Sequence, residues 1–170
     1  MAEFNKNLWA PWRRAYMEQL GNGENDGCFL CEARDMPDKD AETFVVHRGE
    51  SSFVILNRFP YTSGHLLISP YEHTGDIDRL SDETMLEMTK LIRWMRRALA
   101  AVLGAEGFNV GINLGRCAGA GLPGHLHWHV VPRWSGDANF VTVLGDVRVI
   151  PEDMPLFYDK LQAEVARQKY

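Results

Sequence analysis

The stretch His125-Leu126-His127-Trp128-His129-Val130-Val131 places three of the six histidines of this chain within five residues. Side chains alternate across a β-strand, so a strand here directs the three imidazoles to one face and the intervening apolar side chains to the other. The apolar face can pack in a core, whereas three aligned imidazoles beside a glycine-rich loop are typical of a functional site. The stretch therefore predicts a strand that carries chemistry.

Two kinds of chemistry suit three imidazoles on one strand. A His-x-His pair can supply two ligands to a catalytic zinc ion that keeps an open coordination position. Alternatively, one neutral imidazole can attack an electrophilic phosphorus and carry the transferred group as a phosphoramidate. The glycine-rich loop at residues 115–121 allows close backbone approach and can direct N–H groups at phosphate oxygens. The loop favours nucleotidyl transfer over metal-dependent hydrolysis.

The size and composition of the chain indicate one globular domain over residues 1–170. Its 170 residues suffice to bury most of the apolar surface in one core, and 45% hydrophobic with 24% charged residues excludes a disordered or fibrous chain. No apolar run approaches the roughly 20 residues of a membrane-spanning helix. We therefore expect a cytoplasmic protein with no membrane partner. Within the domain we expect an N-terminal extension at 1–42, a core at 43–140 and a C-terminal segment at 141–170.

The formal net charge of −5 limits the partners of the chain. This balance argues against a broad phosphate-binding surface for long nucleic acid, whereas a small anionic ligand is compatible with it. Residues 24–42 contain seven acidic and two basic side chains, so their net charge of −5 accounts for the whole excess. The acidity is therefore local.

The spacing of apolar residues predicts the remaining elements. Strands are indicated at residues 43–48, 53–57, 65–69 and 108–114, in addition to 125–133. Apolar residues three or four apart from Met85 to Val102 predict a long helix that Ser81 caps and Gly104 ends. A last helix is expected from about residue 152. Because the strands precede and follow one long helix, the pattern predicts an α+β fold with a mainly antiparallel sheet.

Cys28 and Cys31 form a Cys-x-x-Cys pair, which is compatible with metal binding or with thiol redox chemistry. A redox pair normally opens a helix after a strand, whereas Cys28 follows a loop rich in glycine and asparagine, so its position favours zinc. Zinc needs two further ligands to close its coordination sphere. A redox enzyme or metalloenzyme that uses this pair would instead show thiol-dependent turnover.

The residues around the histidines resemble the histidine triad superfamily of nucleotide hydrolases and transferases. Residues 125–131 follow the superfamily signature His-φ-His-φ-His-φ-φ, in which φ is an apolar residue. The resemblance extends from the cysteine pair through Asn57, His65 and Asn113 to the triad. The wider frame at residues 8–13, 115–121 and 132–140 looks like the bacterial branch that is related to diadenosine tetraphosphate phosphorylases.

The resemblance implies a fold and a role for each matching residue. The family fold is a five-stranded antiparallel sheet with one long helix and a C-terminal helix, and two subunits usually form a homodimer. His127 matches the catalytic nucleophile that forms a nucleotidyl-histidine, and His129 matches the catalytic partner that contacts phosphate oxygens. Val54 and Leu56 are expected to line the base pocket. The implied substrate-binding residues are Asn57, His65, Asn113, Gly119, Gly121 and His129.

A zinc site also follows from the resemblance, because galactose-1-phosphate uridylyltransferases and several bacterial triad proteins share this arrangement of cysteines and histidines. The implied ligands of a structural zinc are Cys28, Cys31, His73 and His125. Four protein ligands would close the coordination sphere, so the metal would brace the catalytic strand.

One departure from the family is the sequence Gly121-Leu122-Pro123, where many members have Gly-Gln-Ser or Gly-Gln-Thr. Leaving-group recognition must therefore differ, and loop N–H groups together with Arg116 or Arg133 can contribute to it.

The expected function is transfer of a nucleoside monophosphate from a dinucleoside polyphosphate, a small nucleotide substrate, through His127 to phosphate or water. Phosphate is favoured because residues 119–123 and 132–140 resemble the phosphorylase branch. One alternative is an asymmetric dinucleoside polyphosphate hydrolase or a nucleoside phosphoramidate hydrolase. Another is a nucleotide-binding protein with little turnover, although the intact nucleophile favours an enzyme.

Overall fold

A computed structural model describes residues 27–137, 142, 144, 150, 152–168 and 170. Five strands form one sheet: β1 (Val45–Arg48), β2 (Ser52–Leu56), β3 (Leu66–Pro70), β4 (Gly107–Ile112) and β5 (Trp128–Arg133). Their order is β1-β2-β3-β5-β4, and all neighbouring pairs are antiparallel. The described α-helices are α1 (Phe29–Asp35), α2 (Asp40–Thr43), α3 (Asp82–Leu103) and α4 (Met154–Arg167). The predicted α+β fold is confirmed.

Helix α3 covers one face of this sheet. Ser81 accepts a hydrogen bond from the N–H of Thr84 at its N-terminus, and Gly104 ends it in the left-handed conformation, as the sequence predicts. The apolar side of α3 carries six buried residues, which are Met88, Leu91, Trp94, Met95, Ala98 and Leu99. They form one core with side chains of β2, β3, β5 and α4. This face of the sheet is therefore filled by the core.

The opposite face of the sheet is divided into two halves. Over β1, β2 and β3, helix α1 packs Leu30 against Phe53 and Leu67 in a second apolar cluster. Over β4 and β5, the same face lines a cavity of about 340 Å³. Leu67 pairs with His129 across β3 and β5, so His129 marks the boundary between the covered half and the half that lines the cavity.

Most element boundaries differ from the predicted ones by one or two residues, including those of β2, β3 and β4. Thr43 belongs to α2, and Phe44 ends that helix with a left-handed φ of 63°, so β1 begins at Val45. The last helix begins at Met154, after its N-cap Asp153. The largest difference concerns the histidines, because the final strand begins at Trp128 instead of residue 125.

Because the final strand starts late, His125 and His127 precede it. The N–H of Leu126 donates to the carbonyl of Thr74, over 2.7 Å, instead of joining the ladder. The prediction that all three imidazoles share one strand face is therefore wrong for His125. Its side chain turns towards the cysteine pair instead.

Several predictions from the sequence lie outside the described residues. They concern the family resemblance at residues 8–13 and the end of the frame at residues 138–140. Within the described residues, no helix combines the length and the apolar character that crossing a membrane requires.

Gly64 and Gly104 provide a matched test of core packing next to β3. Both have a left-handed φ, 73° and 61°, which costs a residue with a Cβ about 1–2 kcal/mol. A Cβ on Gly64 would lie 2.5 Å from Cδ1 of Leu103, whereas one on Gly104 would meet nothing within 4 Å. We expect Gly64→Ala to lower the free energy of unfolding by about 1–3 kcal/mol more than Gly104→Ala, because only the former overpacks the core. Urea denaturation measures both, and equal losses would contradict this packing.

Candidate active site and metal site

Four potential metal ligands meet where α1 approaches the end of β3. Sγ of Cys28 lies 3.1 Å from Nδ1 of His125, and Sγ of Cys31 lies 3.1 Å from Nδ1 of His73. One ligand atom from each of the four residues lies within 4.8 Å of the others. Metal bonds of roughly 2.0–2.3 Å require a spacing of this order in a tetrahedral site. The four residues expected from the sequence are therefore brought together and can hold a metal ion.

The hydrogen bonds of His125 leave one nitrogen available to a metal. Its Nε2 lies 2.9 Å from the carbonyl oxygen of Pro70, which can only accept, so Nε2 carries the proton. Nδ1 then directs its lone pair at the cysteine sulfurs. Metal-ligating histidines commonly donate their other N–H to a carbonyl in this way. Burial lowers the pKa of His125 to about 4, so the neutral ligand form predominates near pH 7.

Cys28 is both a candidate metal ligand and the N-cap residue of α1. Its Sγ accepts from the N–H of Cys31 and caps the helix, so the cysteine pair does open a helix. The expectation that the pair does not open a helix is therefore wrong, whereas the preceding loop at residues 21–26 lies outside the described residues. Burial raises the pKa of the Cys28 thiol to about 11, so a thiolate there needs a compensating cation. The approach of two imidazoles to the sulfurs is what favours metal binding.

His127 is buried, and its orientation is set by the main chain. Its Nδ1 lies 2.9 Å from the carbonyl oxygen of His125, which can only accept, so Nδ1 carries the proton. Nε2 therefore holds the lone pair. Burial lowers the pKa of His127, which keeps the ring neutral near pH 7. A neutral imidazole with a fixed lone pair is the form that nucleophilic attack requires.

A second pair of histidines has its protonation fixed from the loop after β2. The main-chain N–H of Tyr61 and the side-chain amide of Asn57 donate to Nδ1 of His65, over 3.1 and 3.2 Å. His65 therefore carries its proton on Nε2, which donates to Nδ1 of His129 over 2.9 Å. The proton of His129 then lies on Nε2. Nδ2 of Asn113 is 3.4 Å away. Both nitrogens then carry hydrogens, so they face each other as two donors that a shared acceptor can bridge. These contacts connect three of the predicted substrate-binding residues to the triad.

Burial keeps both members of this second pair neutral. It lowers the pKa of His65 to about 3 and that of His129 to about 4, and neighbouring histidines add to both effects. The rings of His127 and His129 are 5.0 Å apart at 69° to each other. A phosphate placed between them would meet a lone pair from one ring and an N–H donor from the other.

The loop before the triad is docked onto the segment that follows β3. The backbone of Gly75 approaches Pro123 so closely that a Cβ on Gly75 would overlap the Pro123 carbonyl oxygen. Gly119 has a left-handed φ of 90° at the end of a 3-10 turn and is exposed, and Gly121 is half-buried. Their predicted contact with phosphate stays a prediction. Arg116 is exposed on the same 3-10 turn.

Arg133 is engaged by its neighbours. Its guanidinium binds both carboxylate oxygens of Asp137, and Nη1 donates to Oδ1 of Asn109 over 2.6 Å. It lines the cavity over β4 and β5 together with His129.

The sequence analysis expects Val54 and Leu56 to line the base pocket, but the structure places them elsewhere. Val54 and Leu56 are buried in the core against α3, so that prediction is wrong. Alternation along β2 directs the neighbouring Phe53 and Ile55 to the α1 side instead. Alternation alone does not tell which of the two faces the long helix covers.

The sequence analysis missed Tyr61. Its half-exposed ring stacks on His129 at a centroid distance of 5.7 Å and lies 4.5 Å from the ring of His65. The only signal in the sequence is an aromatic residue four positions before His65.

Comparison with known proteins places the chain in a family. The HIT domain matches residues 38–136. The chain is 36% identical over 167 residues to the AP-4-A phosphorylase of Mycobacterium tuberculosis, covering 96% of this chain and 86% of that protein. Adenosine 5'-monophosphoramidase hnt1 of Schizosaccharomyces pombe is 25% identical over 114 residues, covering 67% of this chain and 82% of that protein.

A solved structure supports the same placement. A Zn-bound histidine triad family protein from Mycobacterium smegmatis superimposes with a TM-score of 0.67 at 31% identity, covering 83% of this chain and 94% of that one. The chain belongs to the histidine triad (HIT) family. The expected resemblance is confirmed, and so is the expectation of an enzyme of the histidine triad type.

Proposed function

We propose that this protein cleaves dinucleoside polyphosphates by transferring a nucleoside monophosphate first to Nε2 of His127 and then to inorganic phosphate. The observation that carries the proposal is the fixed protonation of two adjacent rings, with a lone pair on Nε2 of His127 and an N–H on Nε2 of His129. The 36% identity to an AP-4-A phosphorylase over nearly the whole chain supports the substrate class.

In the first half-reaction, Nε2 of His127 attacks the α-phosphorus. The P–O bond to the remaining phosphate chain breaks, and its electron pair leaves on that oxygen. His129 donates a hydrogen bond from Nε2 to a phosphate oxygen as charge develops there. The carbonyl of His125 accepts from Nδ1 of His127 and stabilises the positive charge that the ring acquires.

In the second half-reaction, an oxygen of inorganic phosphate attacks the same phosphorus from the side opposite His127. The P–N bond breaks and its electron pair returns to Nε2, which regenerates the free imidazole. Diadenosine tetraphosphate would thereby give ATP in the first step and ADP in the second. Positioning of phosphate next to the intermediate gives it an advantage over bulk water. The family resemblance of residues 119–123 and 132–140 supports phosphate as the acceptor.

Zinc has a structural role in this proposal. Cys28, Cys31, His73 and His125 would hold the ion, which supplies a cross-link between α1 and the segments that flank the catalytic histidine. The Zn-bound relative from Mycobacterium smegmatis supports this choice of metal.

A second candidate function is hydrolysis of a dinucleoside polyphosphate or a nucleoside phosphoramidate. The similarity to an adenosine 5'-monophosphoramidase favours it, because the same two histidines would serve that reaction with water as acceptor. A binding protein with little turnover is disfavoured, because binding alone does not require a buried imidazole with an oriented lone pair.

The zinc proposal predicts about one zinc ion per chain in protein prepared without chelator. Cys31→Ser should remove the metal and lower the midpoint of thermal unfolding, because the cross-link is lost. Cys117→Ser is the matched control, since Cys117 is exposed and lies outside the ligand group, and it should change neither quantity. Elemental analysis by mass spectrometry measures the metal. Metal-free wild-type protein with unchanged stability would contradict the proposal.

The nucleophile is tested by His127→Asn. Turnover of diadenosine tetraphosphate should fall by about four orders of magnitude, roughly 5 kcal/mol of transition-state stabilisation, because asparagine cannot form the covalent intermediate. Nucleotide binding should stay nearly unchanged. His47→Asn is the control, because His47 packs on Trp94 in another part of the fold and its loss should leave turnover intact. A loss of only tenfold, or failure to trap a nucleotidyl adduct on the wild-type protein, would refute the nucleophilic role.

The acceptor is tested with isotopically labelled inorganic phosphate. Diadenosine tetraphosphate should give ATP and ADP, and the label should appear in the terminal phosphate of ADP because phosphate attacks the intermediate. Mass analysis of the products follows the label. Rapid formation of unlabelled AMP and ATP at a rate that does not depend on phosphate would identify an asymmetric hydrolase instead.

A further inference from the structure

The cysteine pair combines the position of a metal site with the position of a thiol–disulfide pair. Sγ of Cys28 and Sγ of Cys31 lie within 4.8 Å of each other at the start of α1. We propose that Cys28 and Cys31 form a reversible disulfide when a hydroperoxide oxidises them, and that this modification releases the metal and lowers the activity of His127. The inference rests on the proposed function, including its zinc ion, and adds the regulation of that site.

The backbone at the start of α1 places both sulfurs for a direct bond. Residues three apart on a helical turn have Cα atoms separated by roughly 5 Å, inside the range of about 4.4–6.8 Å that a disulfide permits. Sγ of Cys28 already lies 3.4 Å from the main-chain nitrogen of Cys31, so it reaches over the first turn towards its partner. Rotation of the two side chains therefore brings the sulfurs together without a shift of the helix.

Exposure divides the two sulfurs into an attacking and a resolving thiolate. Cys31 is half-buried and its sulfur faces the exposed His73, whereas Cys28 is only 6% exposed. A hydroperoxide from solvent therefore reaches Sγ of Cys31 first. Metal ligation keeps both sulfurs as thiolates, which is the form that reacts with a peroxide.

The oxidation consumes one hydroperoxide. Sγ of Cys31 attacks the terminal peroxide oxygen, the O–O bond breaks, and its electron pair leaves on the other oxygen, which gives a sulfenic acid on Cys31. Sγ of Cys28 then attacks that sulfur, and the S–O bond breaks as hydroxide leaves. In sum, two thiolates are oxidised to a disulfide, while the hydroperoxide takes up two protons and is reduced to water and an alcohol. A disulfide contains no thiolate, so the pair no longer provides ligands for a metal.

Loss of the thiolates affects His127 through His125. Nδ1 of His125 lies 3.1 Å from Sγ of Cys28 and 3.5 Å from Sγ of Cys31, so both contacts change when the disulfide forms. The carbonyl of the same residue accepts from Nδ1 of His127 over 2.9 Å. A displacement of His125 therefore displaces the atom that orients the nucleophile.

A second connection runs through His73 to the loop before the triad. A Cβ on Gly124 would lie 3.5 Å from Nε2 of His73, so the ring packs beside the backbone of that loop. Two residues after His73, the backbone of Gly75 lies against the carbonyl of Pro123. Release of the metal therefore loosens the loop that leads to His127. Because a misplacement of about 1 Å can cost about a hundredfold in rate, this change should lower turnover.

The proposal is tested on zinc-loaded wild-type protein that is treated with hydrogen peroxide and then with catalase. Peptide mass analysis should show a disulfide between Cys28 and Cys31, and a chromogenic chelator should detect about one released zinc ion per chain. Turnover of diadenosine tetraphosphate should fall at least about tenfold, and dithiothreitol with added zinc should restore it. Retention of zinc without the disulfide, a disulfide that leaves turnover unchanged, or a loss that dithiothreitol does not reverse would overturn the proposal.

Two variants separate the disulfide from other oxidation. Cys117→Ser removes the exposed cysteine outside the ligand group, and peroxide should release its zinc and lower its turnover as in the wild type. Cys31→Asp keeps a carboxylate that can bind zinc but cannot form the disulfide. Peroxide should therefore release no zinc from this variant and change its own turnover less than about twofold. An equal response of Cys31→Asp and the wild type would contradict the proposal.

The untreated wild-type protein distinguishes this inference from the proposed function. Untreated protein that turns over no diadenosine tetraphosphate would refute the proposed function, while the disulfide and zinc measurements still decide the redox proposal. Untreated protein that turns over the substrate, with peroxide changing neither its zinc content nor its turnover, would refute the redox proposal alone.

Discussion

His125 is the residue on which the chemistry of this site depends, because its side chain and its main chain serve different partners. Nε2 donates to the carbonyl of Pro70, and Nδ1 faces the sulfurs of Cys28 and Cys31. Its own carbonyl accepts from Nδ1 of His127. One residue therefore connects the metal ligands to the protonation of the candidate nucleophile. A change at the cysteine pair would reach His127 through this main-chain carbonyl.

Groups that do not titrate near neutral pH define the protonation of four histidines at the site. Main-chain carbonyls fix His125 and His127, and the N–H of Tyr61 fixes His65, which in turn fixes His129. Burial lowers the pKa of these rings, so they stay neutral. The pattern of one lone pair beside one N–H donor therefore persists through the neutral pH range.

Local signals in the sequence predict helix α3 well, because its periodicity and both of its caps lie within the helix or next to it. The start of the final strand is not predictable in this way. The N–H of Leu126 bonds to Thr74, which lies more than fifty residues earlier in the chain, and this contact turns His125 out of the strand. Alternation correctly separates the two faces of β2, but the packing of α3 decides which face is buried, so the expectation for Val54 and Leu56 is wrong.

The residues of the candidate site also divide into those that the sequence predicts and those that it does not. The sequence predicts the side chains that are chemically unusual and occur in a recognisable order, which are His127, His129 and the four metal ligands. The cavity over β4 and β5 is not predicted, because its walls come from separate segments of the chain. The role of Tyr61 is equally hard to predict from the sequence, since it fixes the proton of His65 through its main-chain N–H.

Identifying which nitrogen is protonated in each triad histidine tests this arrangement most directly. Long-range ¹H–¹⁵N NMR correlations of the wild-type protein at neutral pH distinguish the two neutral imidazole tautomers from the imidazolium cation. The hydrogen bonds predict neutral rings with the proton on Nδ1 of His127 and on Nε2 of His129. A proton on Nε2 of His127, or a charged ring at that position, would contradict the assignment of His127 as a nucleophile held ready by the carbonyl of His125.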